Sequence, residues 1–202
     1  MFADRQQCRA ALGIGNRICI LSFGGSLGAR RVNEAIADVM AHFAGGDTLH
    51  FIHATGQYGV ELFPELLSER GIAANGNPHI DIREFIHNMP ECLAAADLVI
   101  CRAGAISCSE LQAAGRASVL IPSPNVAENH QYHNAMVLHE NRAAMVIEEK
   151  ALTADNLLAT VKDLTGSSDT LKALGDNARK MAILDANQRI YDEMMALYQS
   201  KR

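Results

Sequence analysis

Hydrophobic residues recur along this chain in two rhythms. Short apolar runs, rich in β-branched residues, fall at 18–23, 49–53, 79–83, 98–101, 118–121 and 144–147. The first of them, Ile18-Cys19-Ile20-Leu21-Ser22-Phe23, is apolar on both faces apart from Ser22, as a strand covered by helices on both sides has to be. Between the runs, longer amphipathic stretches predict helices at about 30–43, 60–70, 90–95, 106–114 and 129–141. Strand and helix alternating in this way imply an α/β fold, a Rossmann-like parallel sheet with right-handed crossovers and helices on both faces. Past Thr153 the pattern is helical to about residue 199, a helical C-terminal tail. Within that tail, Thr165-Gly166-Ser167-Ser168 reads as a helix–helix turn, so residues 1–202 are expected to form a single domain.

Composition narrows the function classes. The 202 residues are 49% hydrophobic and 20% charged, with a net charge of −5, which argues against a partner held by a broad basic field such as nucleic acid. No apolar run approaches the roughly 20 residues of a membrane helix. Met1-Phe2-Ala3-Asp4-Arg5-Gln6-Gln7 has no apolar signal core, so the chain reads as cytoplasmic. The five cysteines, none in a C-x-x-C pair, fit free thiols in a reducing compartment.

Chemistry enters at the ends of the apolar runs. The first run passes into Phe23-Gly24-Gly25-Ser26-Leu27-Gly28-Ala29, with a helix after it. Glycines there allow a tight turn and close approach of a ligand to the backbone. A helix N-terminus adds unpaired N–H groups and partial positive charge, so the turn suits phosphate; a purely packing turn is the alternative. The pattern is neither a dinucleotide fingerprint nor a Walker loop.

The fourth run leads into Cys101-Arg102-Ala103-Gly104-Ala105-Ile106-Ser107-Cys108-Ser109-Glu110. Gly104 opens a second close approach, and two helix N-termini on one sheet edge can share a diphosphate. Glu110 suits a ribose diol; equally, Ser107-Cys108-Ser109-Glu110 fits a capping box. The fifth run exits through Ile121-Pro122-Ser123-Pro124 into Glu128-Asn129-His130-Gln131-Tyr132-His133-Asn134. The amides of Gln131 and Asn134 share a face and suit sugar hydroxyls; a solvated helix start capped by Asn129 is the alternative. His130 and His133 with Glu128 do not form a recognised metal pattern, and no metal or other cofactor is expected.

In this order, the segments resemble the MurG family of GT-B glycosyltransferases, which transfer N-acetylglucosamine to lipid-linked muramoyl-pentapeptide. The resemblance rests on Ser22 through Ala29, Glu84-Phe85-Ile86-His87-Asn88-Met89, Ala96 through Ala105, Ser109-Glu110 with Ala113-Ala114-Gly115, Ile121-Pro122, and Gln131 through Ala135. It runs from about residue 4 to the end but covers only the carboxyl-terminal half of the family. It implies a UDP-N-acetylglucosamine-binding half, with Gly25 and Ser26 at the phosphates. Phe85, Ile86 and Met89 border the uracil. Gly104, Ala105, Ile106, Ser107, Cys108, Ser109 and Glu110 hold diphosphate and ribose, with Glu110 on the ribose hydroxyls, and Gln131 faces the sugar. Catalytic base, lipid I acceptor site and membrane-facing patch belong to an amino-terminal half that is absent, with Met1 an expression start or fragment edge. The rivals are a non-catalytic UDP-sugar-binding subunit with a separate acceptor partner, and a fragment of a UDP-N-acetylglucosamine epimerase.

Overall fold

A computed structural model describes residues 3–73 and 77–200. The outermost residues of the expected 1–202 domain, Met1 among them, lie outside the described residues. The elements begin with α1 (Arg5–Ala11), β1 (Ile18–Phe23), α2 (Arg30–Phe43), β2 (Leu49–Ala54), α3 (Leu62–Glu69) and β3 (Ile80–Arg83). They continue with α4 (Met89–Ala95), β4 (Leu98–Cys101), α5 (Ala105–Ala114), β5 (Ala117–Leu120), α6 (His130–Glu140) and β6 (Met145–Val146). The tail is α7 (Ala154–Thr165), α8 (Ser168–Lys180) and α9 (Ala186–Ser200). Short 3-10 turns at Ala127–Asn129 and Glu149–Ala151 precede α6 and α7.

The six strands form one sheet in the order β3-β2-β1-β4-β5-β6, and every pairing is parallel. β1 is central, with Ile20 beside both Phe51 and Leu98. Its burial on both faces follows from the two cores it separates. Ile20 faces a core built with Val32, Ile36 and Met40 of α2 and Leu157 and Val161 of α7. Cys19 and Leu21 face another, with Cys92 of α4, Cys108 and Leu111 of α5 and Ala135 of α6. On α2 the buried positions Val32, Ala35, Ile36, Val39 and Met40 follow the i, i+3, i+4 spacing of a helix with one apolar stripe.

The expected sheet, its crossovers and the turn between α7 and α8 are all present. Element ends differ by a residue or two; β6, expected over 144–147, pairs only at Met145–Val146. Sequence reading did not anticipate α1. Asp4 caps it by accepting from the Gln7 N–H at 2.8 Å, and its arginines converge on Asp97. Arg5 and Arg9 reach that carboxylate at 2.5 and 3.0 Å, and the Cys19 N–H donates to it at 2.8 Å. α9 is unlike the other helices: none of its residues is buried, and Ile190, Tyr191, Met194, Leu197 and Tyr198 are exposed. No helix among the described residues is long and apolar enough to cross a membrane.

One polar pair is sealed inside the sheet. Ser22 of β1 and His53 of β2 are register partners, with the hydroxyl 2.8 Å from His53 Nδ1. The imidazole lies 4.4 Å from the Phe63 ring. Burial pushes the His53 pKa down to about 3, whereas an unfolded histidine titrates near 6.5. Below that value the unfolded chain binds the proton and the native one does not, so stability falls as the pH drops from about 6.5 toward 3. Replacing His53 by leucine is expected to remove about 1.4 kcal/mol per pH unit from the acid-side slope of unfolding free energy, read from urea titrations between pH 6.5 and 4. An unchanged slope would place the acid sensitivity elsewhere.

Candidate functional site

The sheet reverses its winding between β1 and β4. From β1 the chain steps outward through β2 to β3, then returns to the other side of β1 to form β4 and continues to β5 and β6. Right-handed crossovers therefore put α2 and α3 on one face and α5 and α6 on the other. The loops leaving the carboxyl ends of β1 and β4 diverge, and a crevice opens between them, where ligands sit in open α/β sheets. A cavity of about 490 Å³ occupies it. Its wall takes Gly24, Gly25 and Gly28 from the first loop, Arg102, Gly104 and Ser107 from the second, and Ser123, Asn125 and Gln131 from beyond β5. Arg30, Arg31 and Glu149 complete its charged rim.

The glycines divide into two kinds. Gly28, at φ +87°, is a packing residue: a Cβ there would lie 2.2 Å from the Thr55 carbonyl oxygen. Gly25, at φ +93°, needs its lack of side chain for backbone conformation, but nothing lies within 4 Å of where a Cβ would stand. Gly104 has ordinary extended geometry, φ −65° and ψ 148°, and a Cβ there would meet only Ser107 Oγ, at 3.9 Å. Neither strain nor packing calls for glycine at 104, and its backbone is open to close approach. α2 and α5 both begin here, and no side chain caps either one, so the first-turn N–H groups face the crevice without a side-chain partner.

Only some of the expected residues line the cavity. Gly25, Gly104, Ser107 and Gln131 do, whereas Ser26 sits exposed at the tip of its loop. Ala105, Ser109 and Ile106 are exposed on α5, Ile106 at 77%. Cys108 turns inward: its thiol is buried, which pushes its pKa up to about 11, and its N–H donates to the Gly104 carbonyl. Phe85 is exposed, Ile86 buried and Met89 half-buried at the start of α4.

Glu110 is exposed on α5 and borders a separate depression shared with Pro90 and Leu93 of α4; partial burial raises its carboxyl pKa. The capping-box alternative for Glu110 is overturned, because α5 starts at Ala105, which makes Ser107 its third residue, and the N-cap is Gly104. Asn129 is no side-chain cap either: it adopts φ 51° and makes no capping bond to α6.

Polar side chains stitch the rim together. Gln131 Oε1 accepts from the Ser123 N–H at 2.9 Å, and Asn134 Nδ2 donates to the Ala103 carbonyl at 3.0 Å. Arg102 donates to the carbonyls of Ile121 and Pro122, each at 3.2 Å, and pairs with Glu149. Glu149 and Arg31 escaped sequence reading because each sits in an ordinary charged stretch with no motif around it. Among the described residues, no group of three or more His, Cys, Asp or Glu side chains is arranged to hold a metal ion.

Comparison with known proteins places this geometry. The glycosyltransferase family 28 C-terminal domain matches residues 19–190. The UDP-N-acetylglucosamine–N-acetylmuramyl-(pentapeptide) pyrophosphoryl-undecaprenol N-acetylglucosamine transferase of Desulforamulus reducens is 38% identical over 180 residues, 89% of this chain and 48% of that protein. The crystal structure of MurG from Acinetobacter baumannii superposes with a TM-score of 0.78 at 28% identity, over 96% of this chain and 53% of that one. A UDP-GlcNAc 2-epimerase from Neisseria meningitidis, bound to UDP-GlcNAc, shares the fold at a TM-score of 0.61 and 12% identity, covering 95% of this chain and 48% of its own. The chain thus spans about half the length of the curated relatives it matches. On the match over 172 of its 202 residues, counting 19 to 190 inclusive, this chain belongs to the glycosyltransferase family 28 C-terminal domain family.

Proposed function

We propose that this chain is the donor-binding half of an inverting glycosyltransferase that moves N-acetylglucosamine from UDP-N-acetylglucosamine to lipid I in peptidoglycan synthesis. The observation that carries the reading is the crevice at the winding reversal, where two helices begin uncapped beside Gly25 and Gly104. Convergent helix N-termini stabilise a diphosphate and, more strongly, the charge that grows on it as the sugar departs. In this reading Ser26 and the N–H groups of Ala105 and Ile106 meet the phosphates. Phe85, Ile86 and Met89 form a shoulder for the base. Glu110, on the exposed face of α5 beside α4, takes the ribose hydroxyls. Gln131 spends its carbonyl on Ser123, which leaves its amide donors for the sugar.

The acceptor hydroxyl attacks the anomeric carbon from the side opposite UDP, so the stereochemistry inverts. This half orients the sugar and stabilises the leaving group; the second half supplies the base and the acceptor site. No step in the scheme uses a metal ion. The exposed apolar residues of α9 support the expectation of a second, acceptor-binding half, since such a stripe in water is costly. We place the complete enzyme in the cytoplasm at the inner face of the cell membrane, with membrane contact made by that second half. The epimerase rival has fold likeness alone behind it, and no observation favours a non-catalytic UDP-sugar-binding subunit paired with a separate acceptor subunit over the transferase reading.

Calorimetry is expected to show UDP-N-acetylglucosamine binding to the isolated chain without efficient transfer; no heat and no thermal shift at millimolar ligand would refute donor binding. Glu110→Ala is expected to cost about 1.5–3 kcal/mol of affinity, the scale of a charged hydrogen bond, or roughly 10- to 150-fold in Kd, with little change in melting temperature. Gly104→Ala puts a methyl where only Ser107 stands nearby. It is expected to weaken UDP binding at least about tenfold while leaving stability within about 1 kcal/mol; unchanged affinity would remove the backbone at 104 from the diphosphate site.

A further inference from the structure

An anion cavity has no use for a carboxylate, yet Glu149 lines this one. Of the charged residues in its wall, Arg30 and Arg31 come from α2, Arg102 from the loop after β4, and Glu149 is the sole acid among the described residues. The carboxylate is held in place. It pairs with Arg102, and the two side chains are only 14% and 18% exposed. The remaining bonds of Arg102 go to the carbonyls of Ile121 and Pro122, so the guanidinium cannot follow a ligand outward. Arg31 donates to the Leu152 carbonyl at 2.9 Å, which ties the far end of the Glu149–Ala151 turn to α2. Arg30 is occupied differently, bonded to Glu34 at 2.8 Å.

We infer that Glu149 is a specificity-determining residue that disfavours a nucleoside diphosphate with a free terminal phosphate relative to the sugar-capped diester. The inference rests on the donor-binding reading above. A UDP-sugar carries its diphosphate capped at both ends, whereas UDP ends in a phosphate whose last proton leaves near pH 6. At neutral pH UDP therefore brings one more negative charge to the cavity, at the position the sugar would cap. A fixed carboxylate in the cavity wall repels that extra charge, which reduces what UDP gains from Arg30, Arg31 and Arg102 relative to the diester. The consequence is easier release of UDP and weaker product inhibition.

The test is a set of titrations at pH 7.5 with uridine, UDP and UDP-N-acetylglucosamine, on the unaltered chain and on E149Q. The expected result is that E149Q tightens UDP roughly three- to tenfold more than the UDP-sugar, the scale of one unit charge across a partly solvated cavity. Uridine affinity stays the same. Equal changes for the two diphosphates, or weaker UDP binding, would overturn the role of Glu149. Failure of the unaltered chain to bind any of the three would instead remove the donor-binding reading beneath it. If E149Q does not fold, Glu149→Ala, which removes the same charge, takes its place in the titrations, and equal changes for the two diphosphates would again overturn the inference.

Discussion

The reversal of winding between β1 and β4 is the constraint on which the rest of this structure depends. A parallel sheet that grows in one direction can cover its strand ends with the next connection. Here the chain returns to the far side of β1, and the right-handed rule sends α2 and α5 to opposite faces. Their N-termini remain together at the sheet edge, with backbone N–H groups that neither a neighbouring strand nor a side-chain cap satisfies. An anion is the natural partner for such groups, and with Arg30, Arg31 and Arg102 they make the crevice locally positive in a chain of net charge −5.

Holding that edge open requires rigidity on both sides. On one side Gly28 and Gly56 pack backbone against backbone; a Cβ on Gly56 would lie 2.1 Å from the Gly28 nitrogen. The loop after β1 is thereby fixed to the loop after β2. On the other side Arg102, Asn134 and Gln131 bind the loops after β4 and β5 to the start of α6. The opposite end of the sheet is secured by Asp97, where two arginines of α1 and the start of β1 converge. The crevice lies at one end of the sheet and an ion-pair anchor at the other.

Most of the architecture was legible in the sequence because burial on both faces forces continuous apolar strands, and Ile18–Phe23 and Leu98–Cys101 show that directly. α1 was not legible: only Cys8 is buried in it, and its hold on the fold comes from arginines whose partner lies some 90 residues away in sequence. At the site, the glycines pointed to the crevice, but sequence alone could not separate Gly28, required by packing, from Gly104, which packing does not require. Spacing also left a capping box at Ser107 open as an alternative, which fails because the helix begins before it. Glu149 was invisible for a different reason. It reaches the cavity through an ion pair with a residue 47 positions earlier, and no local pattern marks such a meeting.

The most direct test is a crystal structure of this chain soaked with UDP-N-acetylglucosamine. The account predicts density for the diphosphate between the first turns of α2 and α5, against Gly25 and Gly104, with the ribose toward Glu110. A diphosphate bound away from that crevice, or a crevice filled by protein atoms while the nucleotide is bound elsewhere, would contradict it.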